Sequence, residues 1–504
     1  MLKRFLFLIP VFGLLSKVVS GQTYNRPVPG DYYPYEFEDH GETPGLYIAN
    51  GLFVLNGPNE PYFSSLLDEQ GYIAWFSSSD DLINDLRFWP DHGVFTFYIP
   101  RGGGVIDFYR MDQSFNLIDS ISAVGNVTPD GHEFILAQNG NRLILTQFDT
   151  VMDLSSYTFS GIPGGIANTV RSNGIQEFDE VGNLVFEWQS IDYIHPTEFI
   201  DGYNFNPTDF DYAHANSISV DDDGHLLVSF RHLDAVYKIH RTTGEVIWSL
   251  GGASSDFSFS AGSDWFSGQH TARRTWDGDL GLFDNGNQKP VQQSRVVKYD
   301  LDTVNWVATE TFSYDGDQFI YAPGTGSYQH FEEDMMCVGW GRARVPEPGV
   351  SVLDGQGELQ KRITYQDFVM SYRSWAGYLP FQLPRPEIDC QSGPGGIELS
   401  APVGFSNYLW STGETTQTIT VADTGTYMVW VEHGIGMIGS QPYHVDDLTE
   451  SCGITSVLEE QNRKNVLETE FYDLSGRRVE RPRNGANRLI GKGKNGSVVI
   501  LPAD

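Results

Sequence analysis

Four segments of this 504-residue chain follow one plan, and that repetition limits the fold more than any other feature. "GHEFILAQNGNRLILTQ" at 131, "AHANSISVDDDGHLLVSF" at 213 and "GQHTARRTWDGDLGLFDNG" at 268 each open beside a histidine and run through one apolar stretch. Each then turns at Asn139-Gly140, Asp223-Gly224 or Asp277-Gly278 and returns through a second stretch. A fourth copy, "GSYQHFEEDMMCVGWG" at 326, keeps the register but has Glu332-Glu333-Asp334 at the turn. Between the copies lie further hairpins such as "IQEFDEVGNLVFEW" and "VYKIHRTTGEVIWSL". Short strands with Asp-Gly and Asn-Gly turns, repeated every 40 to 60 residues or so, predict an all-β chain built as a propeller. Upstream, "YFSSLLDEQGYIAWFSS" and the stretch from "LRFWPDHGVFTFYIP" onward supply two more units, for six blades over residues 22–383.

The innermost strand of each blade lines a shared channel, so equivalent positions in successive blades meet on one axis. Those positions hold His132, His214, His270 and Gln329, with His330 beside the last. One histidine at a strand start is ordinarily a turn cap. Three at equivalent positions point to chemistry, because shape alone could be met by Leu or Asn. Strand alternation lets only one of Gln329 and His330 face inward. Arg231, His232, Lys289 and Arg295 add positive charge nearby, and a guanidinium fork suits an oxyanion. Neutral imidazoles could hold zinc or copper, but with Arg and Lys beside them and no carboxylate at ligand spacing, an anion is the expected ligand and neither metal nor cofactor is called for.

Charge excludes other functions. Thirty-two Lys and Arg against 66 Asp and Glu leave a formal charge of −34, which repels nucleic acid and anionic lipid. Residues 1–21 read as a secretory leader, with Lys3 and Arg4 before an apolar run from Phe5 to Leu15, so the mature chain is expected outside the cytoplasm. After the proline-rich "LPFQLPRPEID", residues 388–452 resemble an immunoglobulin-like sandwich, with Tyr427 in "DTGTY" near a core edge. Cys390 and Cys452 bracket that segment and could bridge; Cys337 is left as a buried small hydrophobe. Residues 457–504, with "YDLSGRRV", resemble the C-terminal sorting domain of Bacteroidetes type IX secretion cargo. That resemblance implies passage through the type IX machinery, then release or attachment to the cell surface.

The segments "HANS", "VSFRHLDAVYKI", "TGEVIWSLGG", "GQHTAR" and "LFDNGN", in this order, resemble the arylsulfotransferase family of exported six-bladed propellers over about residues 44–363. The resemblance implies PAPS-independent transfer of a sulfuryl group from an aryl sulfate donor to a phenolic acceptor through a sulfohistidine. It matches His214 and His270 to sulfate-binding histidines, with Asn216 orienting His214. The family's cationic residue after "FDNG" falls near Lys289, and Arg295 could substitute. A later-blade nucleophile would be His330. If Gln329 faces inward instead, either His270 serves or the protein binds without transferring, as a surface-displayed adhesive or ligand-binding propeller would.

Overall fold

The computed structural model describes residues 22–448 apart from 55–60, 80–83, 102–104, 317, 332–333, 344–346, 367 and 394–395, together with Cys452 and the backbone of four short strands between 470 and 500. The leader assigned to residues 1–21 lies outside the described residues, as does most of 457–504. The chain forms two compact units, residues 1–382 with 434–436, and residues 383–433 with 437–504. Among the described residues the structure is all-β, with three single-turn 3-10 segments.

The first unit contains six sheets of four or more strands among its described residues, antiparallel except for one short parallel edge strand in each of two. Sheets 1 to 6 are numbered here by their first strands: Asn84–Trp89, Thr128–Leu136, Ala215–Val220, His270–Arg274, Ser327–Phe331 and Val369–Tyr378. Sheet 6 joins both ends of the unit, since Val369–Tyr378 pairs with Leu46–Val54, which continues through Tyr62–Leu67 to Ile73–Ser79. Sheet 5 is likewise extended by Tyr35–Asp39 along Leu359–Tyr365. The "YFSSLLDEQGYIAWFSS" segment is therefore the outer part of a sheet whose first strand lies some three hundred residues later in the chain.

The hairpins match their sequence. Leu136 pairs with Arg142, Val220 with Leu226 and Arg274 with Leu280, so each turn spans five residues. Gly140, Gly224 and Gly278 sit at φ of +84°, +83° and +92°, a conformation that costs other residues energy. In the fourth copy Phe331 pairs with Met335, and Asp334 takes the positive φ, +58°.

Middle strands are buried on both faces because sheets stack on each other. Leu226, Val228 and Phe230 join a core shared with Ile135, Leu143 and Trp188 of sheet 2. Leu227, between them, joins another with Leu280, Leu282 and Val297 of sheet 4. One strand thus alternates between two cores, which is why it is buried throughout and apolar at all but Ser229. In sheets 1 and 2 the strand farthest from the first is largely exposed, Leu117–Ile121 and Leu184–Gln189.

First strands are neighbours. Asn216 Nδ2 donates to Gln269 O (2.7 Å), Thr271 Oγ1 to Gly326 O (3.0 Å), Ser327 Oγ to Ser374 O (3.0 Å) and Tyr372 OH to His132 O (3.3 Å). Five of the six carry a register shift: between Asn84 and Arg87, Asp130 and Phe134, Ala215 and Ser217, His270 and Arg273, and opposite Asn50–Leu52 on Val369–Tyr378. Such bulges re-aim side chains. Two of them coincide with positive φ at Asp85 and Thr271, a strained state for a β-branched threonine, and His214, just before a third, is also at positive φ.

In the second unit Asp389–Gly393, Gly396–Ser400 and Thr418–Val421 make one sheet, while Tyr408–Trp410 pairs with Val429–His433. Tyr427 OH donates to Asp423 O (2.7 Å), closing a local corner. Cys390 and Cys452 form a disulfide, and Cys337 in the first unit is free and buried.

Candidate functional site

His270 opens the first strand of sheet 4 and is 3% exposed. Its Nδ1 lies 2.7 Å from Asn285 Oδ1 and 3.1 Å from Gly268 O. Asn285 is itself oriented: its Nδ2 donates to Ala322 O (2.7 Å) and Thr325 O (3.0 Å), which leaves only Oδ1 for the imidazole. Two acceptors facing Nδ1 place the proton there, so Nε2 carries a lone pair. Burial, then the Arg231 cation, drives the His270 pKa well below its ordinary value against the opposing Asn285 hydrogen bond; His214 and His132 add to the fall. His270 is therefore a neutral imidazole in one tautomer, and among the described residues nothing bonds its Nε2. The glycine of "GQH" is required: Gly268 has φ +62°, and a Cβ there would lie 1.8 Å from Asn287 Oδ1.

Three more histidines stand together. His214 stacks on His232 with centroids 4.7 Å apart, and His132 meets His214 edge-on at 5.1 Å. Each has its Nδ1 engaged: His214 on Asp211 Oδ2 (2.5 Å), His232 on Asp211 O (2.6 Å) and His132 on Asp130 Oδ1. Nε2 is again the outward nitrogen of each ring. Burial disfavours charge on His132, but the Asp130 carboxylate, by its charge and its hydrogen bond, outweighs this and raises the pKa. Burial and then His214 pull the His232 pKa to about 3. The site thus pairs imidazoles whose neutral form is favoured, at His270 and His232, with one at His132 whose protonated form is favoured.

Arg231 stands in the 3-10 turn Arg231–Leu233. Its Nη2 donates to Pro323 O (3.1 Å) and Asn287 Oδ1 (3.4 Å), and its guanidinium lies 5.1 Å from the Tyr203 ring centroid. No carboxylate of the described residues forms an ion pair with it, and its charge acts on His270 and His232 as well as on Asp234 and Tyr203. Tyr372, from sheet 6, lies 5.9 Å from the His132 ring. Below Gly268, the Asp234 carboxylate accepts from Gly268 N (2.6 Å) and Tyr203 OH (2.5 Å), and burial raises its pKa to about 6.

Other residues singled out in the sequence lie elsewhere. Arg295 is held by Asp284 (3.1 Å) and Glu310 (3.0 Å), and Lys289 by Asp264 (2.8 Å) and Asp284 (2.9 Å). Both cations close an ion-pair network, and the unpaired Arg231 is the one that reaches His270. Gln329 Oε1 accepts from Ala376 N (2.9 Å), on the side of sheet 6. His330 points the other way, to Asp334 (2.7 Å) and Asp277 (3.5 Å), apart from the histidine group. Asn216 does not touch His214; it ties sheet 3 to Gln269, and its O accepts from Arg373 (2.6 Å).

Carboxylates do accompany the histidines, contrary to the spacing argument: Asp211 lies three residues before His214, and Asp130 two before His132. Asp211, His214 and His232 offer ligand atoms within 4.8 Å of one another, enough to consider a metal ion. Holding one there would mean surrendering the contacts by which Asp211 orients both rings.

A family model described as Arylsulfotransferase (ASST) matches residues 40–373, about two thirds of the chain. The chain belongs to the arylsulfotransferase family. It is thereby a member of a family of sulfuryl-transfer enzymes, and the histidine group falls within the matched span. No relative is found among curated proteins. Among solved structures the chain is similar to a Bacteroides caccae protein of unknown function (TM-score 0.41, 11% identity, 66% of this chain and 98% of that one). It is also similar to a periplasmic gluconolactonase from Pseudomonas aeruginosa (0.36, 14%, 79% and 99%) and a virginiamycin B lyase from Staphylococcus aureus (0.33, 8%, 82% and 99%).

Asp130, Asp211, Asn285 and Tyr372 were missed from the sequence. The first two are signalled by "PDGH" and "DYAH", an acid two or three residues before a repeated histidine. Asn285 stands inside "LFDNGN" but fifteen residues from its partner, and Tyr372 comes from another sheet, so neither has a local signal.

Proposed function

We propose that this arylsulfotransferase transfers a sulfuryl group from an aryl sulfate to a phenol, without PAPS, through a sulfohistidine on His270. The fixed tautomer of His270 carries this reading: a neutral imidazole with Nδ1–H held and Nε2 free is a nucleophile ready for attack. Nε2 attacks sulfur, the N–S bond forms and the S–O bond to the aryl group breaks. His132, charged through Asp130, gives its proton to the departing aryl oxide, while Arg231 and His214 face the sulfuryl oxygens. In the second half the acceptor phenol returns a proton to His132, its oxygen takes the sulfuryl group, and His270 is neutral again. His232 orients His214 through Asp211. His330, Arg295 and Lys289 have no part in the chemistry.

In this reading the six sheets are six blades closed by sheet 6, residues 388–452 an immunoglobulin-like spacer, and residues 1–21 and 457–504 export signals for the type IX route. The chain would then work as a secreted or surface-attached enzyme. The non-catalytic display reading has less support, because display needs no fixed tautomer.

The test is release of nitrophenol from p-nitrophenyl sulfate with phenol as acceptor. A sulfuryl adduct on the His270 peptide in protein quenched without acceptor is expected. Release by wild type with no adduct on that peptide would move the nucleophile elsewhere, and no release with any phenol would sink the enzyme reading. Export is tested separately: secreted protein should lack residues 1–21 and the segment from about 457.

A further inference from the structure

The last residues of the first strands, away from the histidines, hold a second arrangement that sulfuryl transfer does not use. Trp89, Phe331 and Tyr378 end their strands and line a cavity of about 130 Å³ with Phe88, Trp375 and Tyr47. That is slightly below the ~150 Å³ of an apolar cavity that holds benzene, so the ring fits only with its substituents reaching out of the cavity. Two polar side chains enter this aromatic wall, Arg87 and Gln329.

Arg87 is stacked between two indoles, its Cζ 4.0 Å from the Trp89 ring centroid and 4.4 Å from that of Trp375. Both rings are fixed, Trp89 Nε1 donating to Thr96 Oγ1 (2.7 Å) and Trp375 Nε1 to Asp85 Oδ1 (2.7 Å). Stacking covers the guanidinium faces and leaves only its N–H edge for a partner. Among the described residues no carboxylate pairs with Arg87 and no side chain or carbonyl accepts from it; Nη1 is buried without a partner.

The acids nearby already carry other cations, although Glu133 does so through Oε2 alone and its Oε1 is buried without a hydrogen bond. Glu133 is bridged by Arg273 (2.7 Å) and Arg373 (3.0 Å), and Asp85 by Arg373 (3.2 Å) and Trp375. Three arginines against two carboxylates leave one positive charge over, in a chain whose formal charge is −34. Burial and then Arg273 pull the Arg87 pKa down to about 9, a cost that an incoming anion would relieve. Gln329 spends Oε1 on Ala376 N, and its Nε2 remains as a second donor.

We propose that this cavity binds a small monocyclic aromatic anion, its ring among Phe88, Phe331 and Tyr378 and its anionic group on the Arg87 edge and Gln329 Nε2. The site is separate from the histidines and stands whether or not His270 transfers sulfuryl groups. A second cavity of about 450 Å³ shares Arg87, Trp89 and Pro90 with the first and gives the Arg87 edge an approach lined by both signs of charge, Arg273 and Arg274 with Asp91, Asp221 and Asp222.

The probe is 4-nitrobenzoate, titrated calorimetrically into the full chain, with 4-nitrobenzamide as the uncharged match. One site is expected in wild type and equally in His270→Ala, weakened at least tenfold in Arg87→Gln and Trp89→Ala and at least tenfold weaker for the amide. Retained affinity in folded Arg87→Gln, or equal binding of amide and carboxylate, overturns the proposal. Loss in His270→Ala overturns it too, placing the probe at the histidines. Should Arg87→Gln fail to fold, wild-type crystals soaked in 4-bromobenzoate decide: bromine among Phe88, Phe331 and Tyr378 supports the site, and bromine elsewhere or nowhere refutes it.

Discussion

The histidine group and the ion-pair network around Asp284 meet in sheet 4, where Asn285 holds His270 and the neighbouring Asp284 holds Lys289 and Arg295. They are opposites. Asp284 is fully buried and takes Lys289 and Arg295, which also reach Asp264 and Glu310, so the charges in that network meet charges of the chain itself. His132, His214, His232 and His270 each use Nδ1 on the protein, and among the described residues nothing bonds their Nε2. Full satisfaction makes a scaffold, and systematic half-satisfaction makes a site.

The sharpest way to break this contrast is to exchange the roles. His270→Ala should lower nitrophenol release from p-nitrophenyl sulfate by at least about a thousandfold with an unchanged urea midpoint. Asn285→Leu frees the imidazole tautomer and should cost about a hundredfold in kcat, with a smaller change in KM. In the network, Arg295→Ala breaks a largely buried pair and should cost about 3 kcal/mol of stability by urea unfolding, while kcat per folded molecule stays the same. A thousandfold loss of transfer in Arg295→Ala would return that residue to the site.

Titration gives a finer test. His132 has a raised pKa, so its stabilising contribution is full below about 6.5 and is lost as pH rises through the higher folded value. His270 has a depressed pKa, so the unfolded chain takes up the proton first and stability falls as pH drops below 6.5. Transfer needs His270 neutral and His132 charged, so kcat should fall on the alkaline side, and His132→Gln should remove that limb along with part of the rate. The smallest effect is expected for His330→Gln, with transfer and its pH profile unchanged; a loss as large as that of His270→Ala would make His330 the nucleophile after all.

Much of this protein was legible locally. Period-two apolar patterning and Asn-Gly or Asp-Gly turns specify strands and hairpins, because side-chain alternation and positive φ are properties of a few consecutive residues. The repeat then aligned His132, His214 and His270, since a repeated hairpin carries equivalent residues to equivalent places. Tertiary structure decided what alignment could not. Sheet 6 joins strands from both ends of the unit, a pairing with no trace in neighbouring residues. Gln329 and His330 are adjacent and alternate, so only the packing of sheets 4 and 6 on sheet 5 determined which way each points. Arg231 and Arg295 carry the same charge; among the described residues the fold gave Arg295 carboxylate partners and Arg231 only neutral acceptors. Sequence fixes what a residue can do, and hydrogen-bond partners brought from distant strands decide whether any of that capacity is left for a substrate.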